Sequence, residues 1–196
     1  NMLKERNDGK FIFHAFEPEP SLHEHATMRI GRALQNNKRG IASFVPKAIG
    51  NANGTMKFYK SEGIKKGPNG EIEDRWYGSS SLLKPTEQIS KDFKGMYFDE
   101  IEVEVMTMDN FIKDAGLNGD IIDFIWSDIQ GCERIFIEGA TNTLDNTRYL
   151  YTEYSEAVHY EGQLVGLQEM LDMLPGWIVI EDYGGDVLLK NTNINK

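Results

Sequence analysis

The sequence predicts an α/β fold in which parallel strands alternate with helices and an antiparallel hairpin ends the chain. Three observations support this. Short apolar runs bounded by turn residues recur along the chain, as in strands buried on both faces. Amphipathic segments with helical spacing separate them. Near the carboxyl end, two apolar runs flank Tyr183-Gly184-Gly185, which is typical of a hairpin turn.

The first strand–helix–strand unit is predicted from the amino-terminal quarter of the chain. Residues 11–16 have the sequence FIFHAF and predict a strand buried on both faces, ended by a proline-rich turn. Ser21 and Glu24 have the spacing of a capping box, which predicts a helix beginning at Ser21 and ending near residues 36–40. Residues 41–45 predict a second strand, and these lengths suit a βαβ crossover.

Residues 47–107 are predicted to be an antiparallel insertion. Alternating apolar and charged residues predict two half-exposed strands, one around Met56 and Phe58 and one at residues 101–106. Polar and small residues between them predict loops, at residues 63–70 and 78–82.

The helix–strand alternation resumes after residue 107. Asp109 is predicted to cap a short helix ending at residue 115, and a strand at residues 121–126 leads into a tight turn. The remaining predictions are a helix from about Cys132, a strand at 148–154, a helix at 163–174, hairpin strands at Trp177–Asp182 and 186–190, and a frayed polar tail at 191–196. We expect residues 1–196 to form a single domain.

Composition excludes several classes of function. Acidic residues number 31 against 21 basic residues, and a net charge of -10 repels nucleic acids and anionic membranes. No apolar run approaches the ~18 residues of a membrane span, and no secretory signal is evident. Cys132 is the only cysteine, which excludes an internal disulfide and fits a reducing compartment. We therefore expect a cytoplasmic protein without a nucleic-acid or membrane partner, and we assign no metal-binding residues.

Three acids stand at predicted strand ends: Glu17, Asp128 and Glu153. Ligands of open parallel sheets bind beyond the carboxyl ends of the strands, and a carboxylate there can accept hydrogen bonds from two ribose hydroxyls. Glu17 is equally well explained as a solvated acid before a proline turn.

Asp128 and Glu133 flank a turn containing Gly131. They can act as a general base and its orienting group, or share a hard cation. Alternatively, Asp128 caps the following helix and Glu133 is favoured by the helix dipole. The serine loop (Ser79, Ser80 and Ser81) is either a ligand-contacting loop or a surface turn.

These residues resemble the FkbM-type methyltransferases. Residues 122–133, IDFIWSDIQGCE, are similar to that family's signature IDFIKxDVEGxE. Further similar motifs occur in the family's order: AFEP at 15–18, AIG at 48–50, SSSL at 79–82, MDNF at 108–111 and EGA at 138–140. Together they extend over about residues 11–190.

The resemblance implies a Rossmann-like class I methyltransferase sheet with helices on both faces, and S-adenosylmethionine as cofactor. It implies O-methylation of a sugar or other small-molecule hydroxyl. It further implies catalysis by Asp128 as the base or its organiser, supported by Glu133 and Glu153. The cofactor contacts that it implies are Glu17, Pro18, Ser80, Ser81 and Asp128.

Two departures from the family pattern shape the expectations. Trp126 stands where the signature has a lysine, and the family's first strand with its DxGxNxG loop is not found before AFEP. We therefore expect an amino-terminally shortened or degenerate member that binds the cofactor weakly. A gap in its sheet would be closed by rearrangement or by a partner chain, and an exposed edge would favour a homodimer.

Two other hypotheses compete with the methyltransferase. The chain can be a catalytically inactive binding module that has lost the cofactor loop. It can also be another Rossmann-like nucleotide binder, such as a sugar epimerase, although it lacks a GxGxxG motif.

Overall fold

The structure, a computed structural model, describes residues 11–36, 40–66, 72–75 and 78–194. Four sequence predictions lie partly or wholly outside these ranges. They are the absence of a glycine-rich loop in residues 1–10, the helix stop at residues 37–39, loop residues 67–70, and tail residues 195–196.

The predicted βαβ unit is confirmed. β1 (Phe11–Phe16) and β2 (Gly40–Val45) pair in parallel, and α1 (His23–Asn36) connects them. The predicted capping box is wrong: Ser21 lies inside a 3₁₀ turn, Pro20–Leu22, and its hydroxyl donates to the Glu19 carboxylate. The predicted burial of β1 on both faces is also wrong, because β1 pairs only with β2 among the described residues, which leaves Ile12 53% exposed.

The insertion is largely antiparallel, as predicted. β4 (Gly54–Glu62) pairs antiparallel with β7 (Tyr97–Met106), and β5 (Ile64–Lys66) with β6 (Ile72–Arg75). The short strand β3 (Ala48–Ile49) is parallel to β7. β5 occupies part of the predicted loop 63–70, and α2 (Glu87–Asp92) was not predicted.

The remaining elements follow the predicted order, except that two short helices replace the single helix predicted from about Cys132. They are α3 (Met108–Asp114), β8 (Ile122–Ser127), α4 (Glu133–Gly139), α5 (Thr141–Asp145), β9 (Thr147–Glu153), α6 (Gly166–Asp172), β10 (Trp177–Asp182) and β11 (Asp186–Asn191). β8 and β9 are parallel, and the terminal hairpin adds to β9 in the order β10-β11-β9-β8. Asn191 ends β11 and is buried, so the polar tail begins one residue later than predicted.

Asp109 caps a different helix from the one predicted. The hydroxyl of Thr107 accepts from the Asn110 amide and caps α3. The Asp109 carboxylate instead accepts from the backbone amides of Asn142 and Thr143, at 3.1 and 2.8 Å, in the first turn of α5. Its side chain therefore stabilises the exposed amides of a helix 32 residues further along the chain.

Helices α3 to α6 pack against one face of the four-stranded sheet. Buried residues of this interface include Phe136, Leu144, Leu150, Met170, Val187 and Leu189. The opposite face carries exposed apolar side chains, among them Phe124, Trp126 and Ile180. The α/β class is thus confirmed, but helices on both faces are not seen in the described part of the chain.

The parallel strands do not form one continuous sheet within the described ranges. The β1–β2 pair and the four-stranded sheet are separate. The two are packed together through α3, because the rings of His14 and Phe16 contact Phe111 edge-on with centroids 4.9 and 4.8 Å apart. The expectation that a gap in the sheet is closed by rearrangement or by a partner chain stays a prediction.

None of the described helices is both long enough and apolar enough to cross a membrane.

Candidate functional site

Acidic side chains converge where the parallel strands β8 and β9 end, and a second set follows β1. We call these five residues the acidic edge: Glu17, Glu19, Asp128, Glu133 and Glu153. Glu153 is the last residue of β9, Asp128 follows β8, and Glu17 follows β1. The edge is the place where ligands of parallel sheets bind.

Gln130 joins two of these acids. Its side-chain amide donates to Asp128 Oδ1 at 2.7 Å and to Glu153 Oε2 at 3.0 Å. Its backbone has a φ of 50°, a left-handed conformation that is costly for a residue with a Cβ. Strained residues cluster at functional sites because the surrounding contacts hold them in place.

Glu153 is prepared to exchange a proton near neutral pH. Burial, together with the negative charges of Asp128 and Asp186, raises its pKa to about 7, against the hydrogen bond from Gln130. Asp128 is exposed, and the described contacts occupy only its Oδ1. The pair thus combines a solvent-facing carboxylate with a neighbour that binds a proton readily.

Glu133 is buried at the first turn of α4. Burial raises its pKa to about 7, and the charges of Glu153 and Asp128 act in the same direction, while backbone amides oppose them. Its Oε1 has no hydrogen-bond partner in the described structure. The sequence-based alternative that Glu133 is simply favoured by the helix dipole does not account for this unpaired oxygen.

The acids after β1 are held by their own turn. Glu17 Oε1 accepts from the Glu19 amide at 2.8 Å, and burial raises the pKa of Glu17. Pro18 between them is half-buried. Glu19 is fully buried and lies 3.6 Å from Lys60 Nζ, and its Oε2 has no partner in the described structure.

The serine loop connects the two groups of acids. The Ser61 amide on β4 donates to Ser80 Oγ at 3.0 Å, and the Ser79 amide donates to Ser61 Oγ at 3.1 Å. Ser81 bonds Tyr59 on both its backbone groups, and its hydroxyl donates to the Gln130 carbonyl at 2.8 Å. The loop therefore lies between β4 and the turn of Gln130.

The expectation that Ser81 contacts the cofactor stays a prediction, and the structure describes the surroundings of this side chain. Ser81 is completely buried, and its hydroxyl is occupied by the Gln130 carbonyl, the Leu83 amide and the Cys132 thiol. These contacts hold the serine loop against the turn of Gln130. Ser80 is half-buried and lies nearer the surface.

Unpaired buried polar atoms concentrate at this end of the parallel strands. In the described structure they are His14 Nε2, Glu19 Oε2, Ser127 Oγ, Glu133 Oε1 and Thr152 Oγ1. Ser127 and Thr152 are neighbours in the β8–β9 register. Because buried polar groups are normally hydrogen-bonded, this concentration marks the acidic edge as a place for a polar ligand or water.

Two further observations concern the rest of the described structure. A surface pocket of about 320 Å³ lies elsewhere, between α3, α5 and the amino end of β8. No three His, Cys, Asp or Glu side chains within the described ranges are arranged to hold a metal ion.

Sequence reasoning located Asp128, Glu133 and Glu153, which the structure brings together around one turn. No described contact joins Glu17 directly to that group. The sequence reasoning missed Gln130, Glu19 and Lys60, because the importance of these residues depends on contacts between distant strands. The second acid in the repeat EPEP was the available signal for Glu19.

Two comparisons with known proteins agree with the motif resemblance. Residues 1–186 match the family profile described as "Methyltransferase FkbM domain". The chain is also 38% identical over 152 residues to 2-O-methyltransferase NoeI of Sinorhizobium fredii (strain NBRC 101917 / NGR234), an alignment that covers 75% of this chain and 58% of NoeI. The chain thus matches less than two thirds of that relative. No solved structure matches the chain significantly.

Proposed function

The chain belongs to the FkbM methyltransferase family, and on that premise we propose that it transfers a methyl group from S-adenosylmethionine to a hydroxyl of a sugar or another small molecule. The observation that carries the proposal is the exposed Asp128 carboxylate, held on one oxygen by Gln130 at the end of a parallel strand.

The residues of the acidic edge fit this cofactor. Its sulfonium and ammonium groups are positive and its ribose offers two hydroxyl donors, all of which suit carboxylates. Lys60, the cation that the structure describes among these acids, is paired with Glu19 and Glu62. A dinucleotide pyrophosphate would be repelled here, which disfavours the epimerase-like hypothesis.

When bound, the cofactor supplies a methyl group that is already activated by its sulfonium. The protein has to bind, orient and remove a proton. Glu17, half-buried after β1, would accept hydrogen bonds from ribose hydroxyls, with Pro18 shaping the turn and Ser80, half-buried on the serine loop, as a further cofactor contact.

Asp128 would take the proton of the acceptor hydroxyl on Oδ2, the oxygen turned away from Gln130. The proton would then pass to the solvent that the exposed Asp128 carboxylate faces, while Glu153 stays held on the other side of the Gln130 amide. Glu133 would lie behind this pair as a buried carboxyl, whose pKa of about 7 is raised by burial and in part by the charges of Glu153 and Asp128.

Two observations support a neutral acceptor that carries a hydroxyl. The formal net charge of the chain is -10, which favours neutral acceptors over nucleic acids. The relative NoeI is named a 2-O-methyltransferase, which supports an acceptor hydroxyl as the methylated group here.

The test compares Asp128→Asn with wild type in the full-length protein. Removing a general base lowers turnover by ~10²–10⁴-fold. We expect that loss in a methyl-transfer assay with labelled S-adenosylmethionine and a panel of free and lipid-linked sugars. The thermal shift produced by S-adenosylhomocysteine should largely persist, because Glu17, Pro18 and Ser80 would still contact the cofactor.

Asp123→Asn is the matched control. Asp123 lies on β8 at the opposite end from Asp128 and forms a surface ion pair with Arg148, so its amide variant should retain activity. Glu17→Gln should reduce the S-adenosylhomocysteine shift. Loss of that shift in Asp128→Asn would contradict the base role. Absence of both shift and transfer in wild type would overturn the enzyme proposal in favour of the binding module.

A further inference from the structure

We infer that Gln130 is a positioning residue whose side-chain amide holds Asp128 and Glu153 as one unit and keeps one oxygen of Asp128 directed to the acceptor. The inference rests on the proposed function, because it assigns to Gln130 a role in the same site.

The first argument is geometric. Two carboxylates repel one another, yet Asp128 and Glu153 both approach a single nitrogen, Gln130 Nε2, at 2.7 and 3.0 Å. A primary amide has two N–H donors and can satisfy both acceptors at once. A carboxylate or an aliphatic side chain at this position can make no such bridge at neutral pH.

The second argument is the backbone. Gln130 adopts a φ of 50°, although glycine is the residue that adopts this conformation without a steric penalty, and Gly131 follows it. Contacts at both ends of Gln130 hold it there: the Ser81 hydroxyl bonds its carbonyl at 2.8 Å, and the two acids bond its amide. The surrounding structure therefore over-determines the turn.

The third argument is the consequence for the acids. The hydrogen bond from Gln130 opposes burial and the charge of Asp128, and so restrains the upward shift in the pKa of Glu153. Because Gln130 bonds Oδ1 of Asp128, Oδ2 is the oxygen that can take the proton of the substrate hydroxyl. Gln130 thus sets both the orientation of the base and the protonation of its neighbour.

The test uses Gln130→Ala and Gln130→Glu in the full-length protein, with Gln168→Ala as the control. Gln168 donates to Asp172 at 2.8 Å on the surface of α6, so its variant removes a glutamine–aspartate bond of the same kind away from the site. Circular dichroism is the control that all three variants fold.

The first readout needs no activity. The Glu153 carboxyl is followed by ¹³C NMR titration and assigned with Glu153→Gln. We expect its pKa to rise in Gln130→Ala because a hydrogen bond to the charged form is lost, and to rise further in Gln130→Glu because a third carboxyl is added. Gln168→Ala should leave it unchanged. An unchanged Glu153 titration in both Gln130 variants would overturn the bridge.

The second readout is kinetic. We expect Gln130→Ala to lower kcat by about 10- to 100-fold, with KM for S-adenosylmethionine unchanged and the pH profile moved upward. If wild type transfers no methyl group but the titration shifts, the bridge stands and the proposed function fails. If wild type is active and Gln130→Ala matches it in kcat and pH profile, the positioning role is wrong and the function stands.

Discussion

The four-stranded sheet and the β1–β2 pair share a pattern of short apolar strands but differ in how well those strands are covered. Both contain short apolar strands followed by acids at their carboxyl ends. In the sheet, Leu150 and Leu189 are 1% and 0% exposed, whereas Ile41 on β2 is 66% exposed. An apolar strand is therefore buried only where neighbouring elements cover it, and its own pattern does not guarantee that cover.

The helices account for the difference. Four helices, α3 to α6, supply apolar side chains to one face of the sheet. The pair is covered by α1, whose side chains are at most half-buried over residues 23–35, the part of the helix for which burial is described. The ring of His23 on this helix contacts the ring of Phe44, with centroids 5.3 Å apart. We expect the pair to be the less stable of the two regions.

The largest test of this comparison contrasts one buried and one exposed aliphatic residue. Leu150→Ala leaves a cavity under the helices and should lower the free energy of unfolding by about 2–5 kcal/mol. Ile41→Ala removes surface that is already largely in water and should change it by less than about 0.5 kcal/mol. Urea denaturation measures both. Equal losses in the free energy of unfolding would show that β2 is buried to the same degree as β9.

A second test concerns Glu133, the buried acid in the first turn of α4, whose Oε1 has no partner in the described structure. The pKa of Glu133 is about 7 in the folded chain, above its ordinary value of 4.5, chiefly because of burial. Between these values the folded state binds more protons than the unfolded state, so this contribution to stability is full below pH 4.5 and is lost as pH rises through 7.

Glu133→Gln should therefore stabilise the chain at pH 8 by ~1–3 kcal/mol and reduce the loss of stability between pH 5 and 8. Denaturation curves at several pH values measure this. Glu138→Gln, an exposed glutamate on the same helix, is the control. A Glu133→Gln variant with the wild-type pH dependence would show that Glu133 has a charged partner in solution.

The smallest test compares a helix cap in each region. Asp109→Ala removes acceptors from the first turn of α5 and should cost about 0.5–2 kcal/mol. Burial alone would raise the pKa of Asp109, but hydrogen bonds from Thr143 and Asn142 lower it overall, so its contribution should be lost in acid, below its ordinary value of 3.8.

Glu24→Ala is the counterpart in α1, where the capping box predicted from sequence does not form. Its effect on thermal unfolding should be within about 0.5 kcal/mol. A cost as large as that of Asp109→Ala would restore the capping box.

Most element positions could be predicted because they depend on local signals. The apolar runs of β1, β8 and β10 and the Tyr183-Gly184-Gly185 turn are visible within a few residues. The acids Asp128 and Glu153 could be found for the same reason, since they end such runs. The motif order also indicated the family that the profile match shows.

The tertiary structure alone decided which distant groups meet. It directs Asp109 to α5 instead of α3, buries Ser81 against the Gln130 carbonyl, and brings one amide between Asp128 and Glu153. It also leaves β1 half-exposed although its sequence is that of a buried strand. Propensity and periodicity act over neighbouring residues, so the sequence determined the elements. Burial and hydrogen bonding between strands depend on how those elements pack, so only the folded chain determined the site.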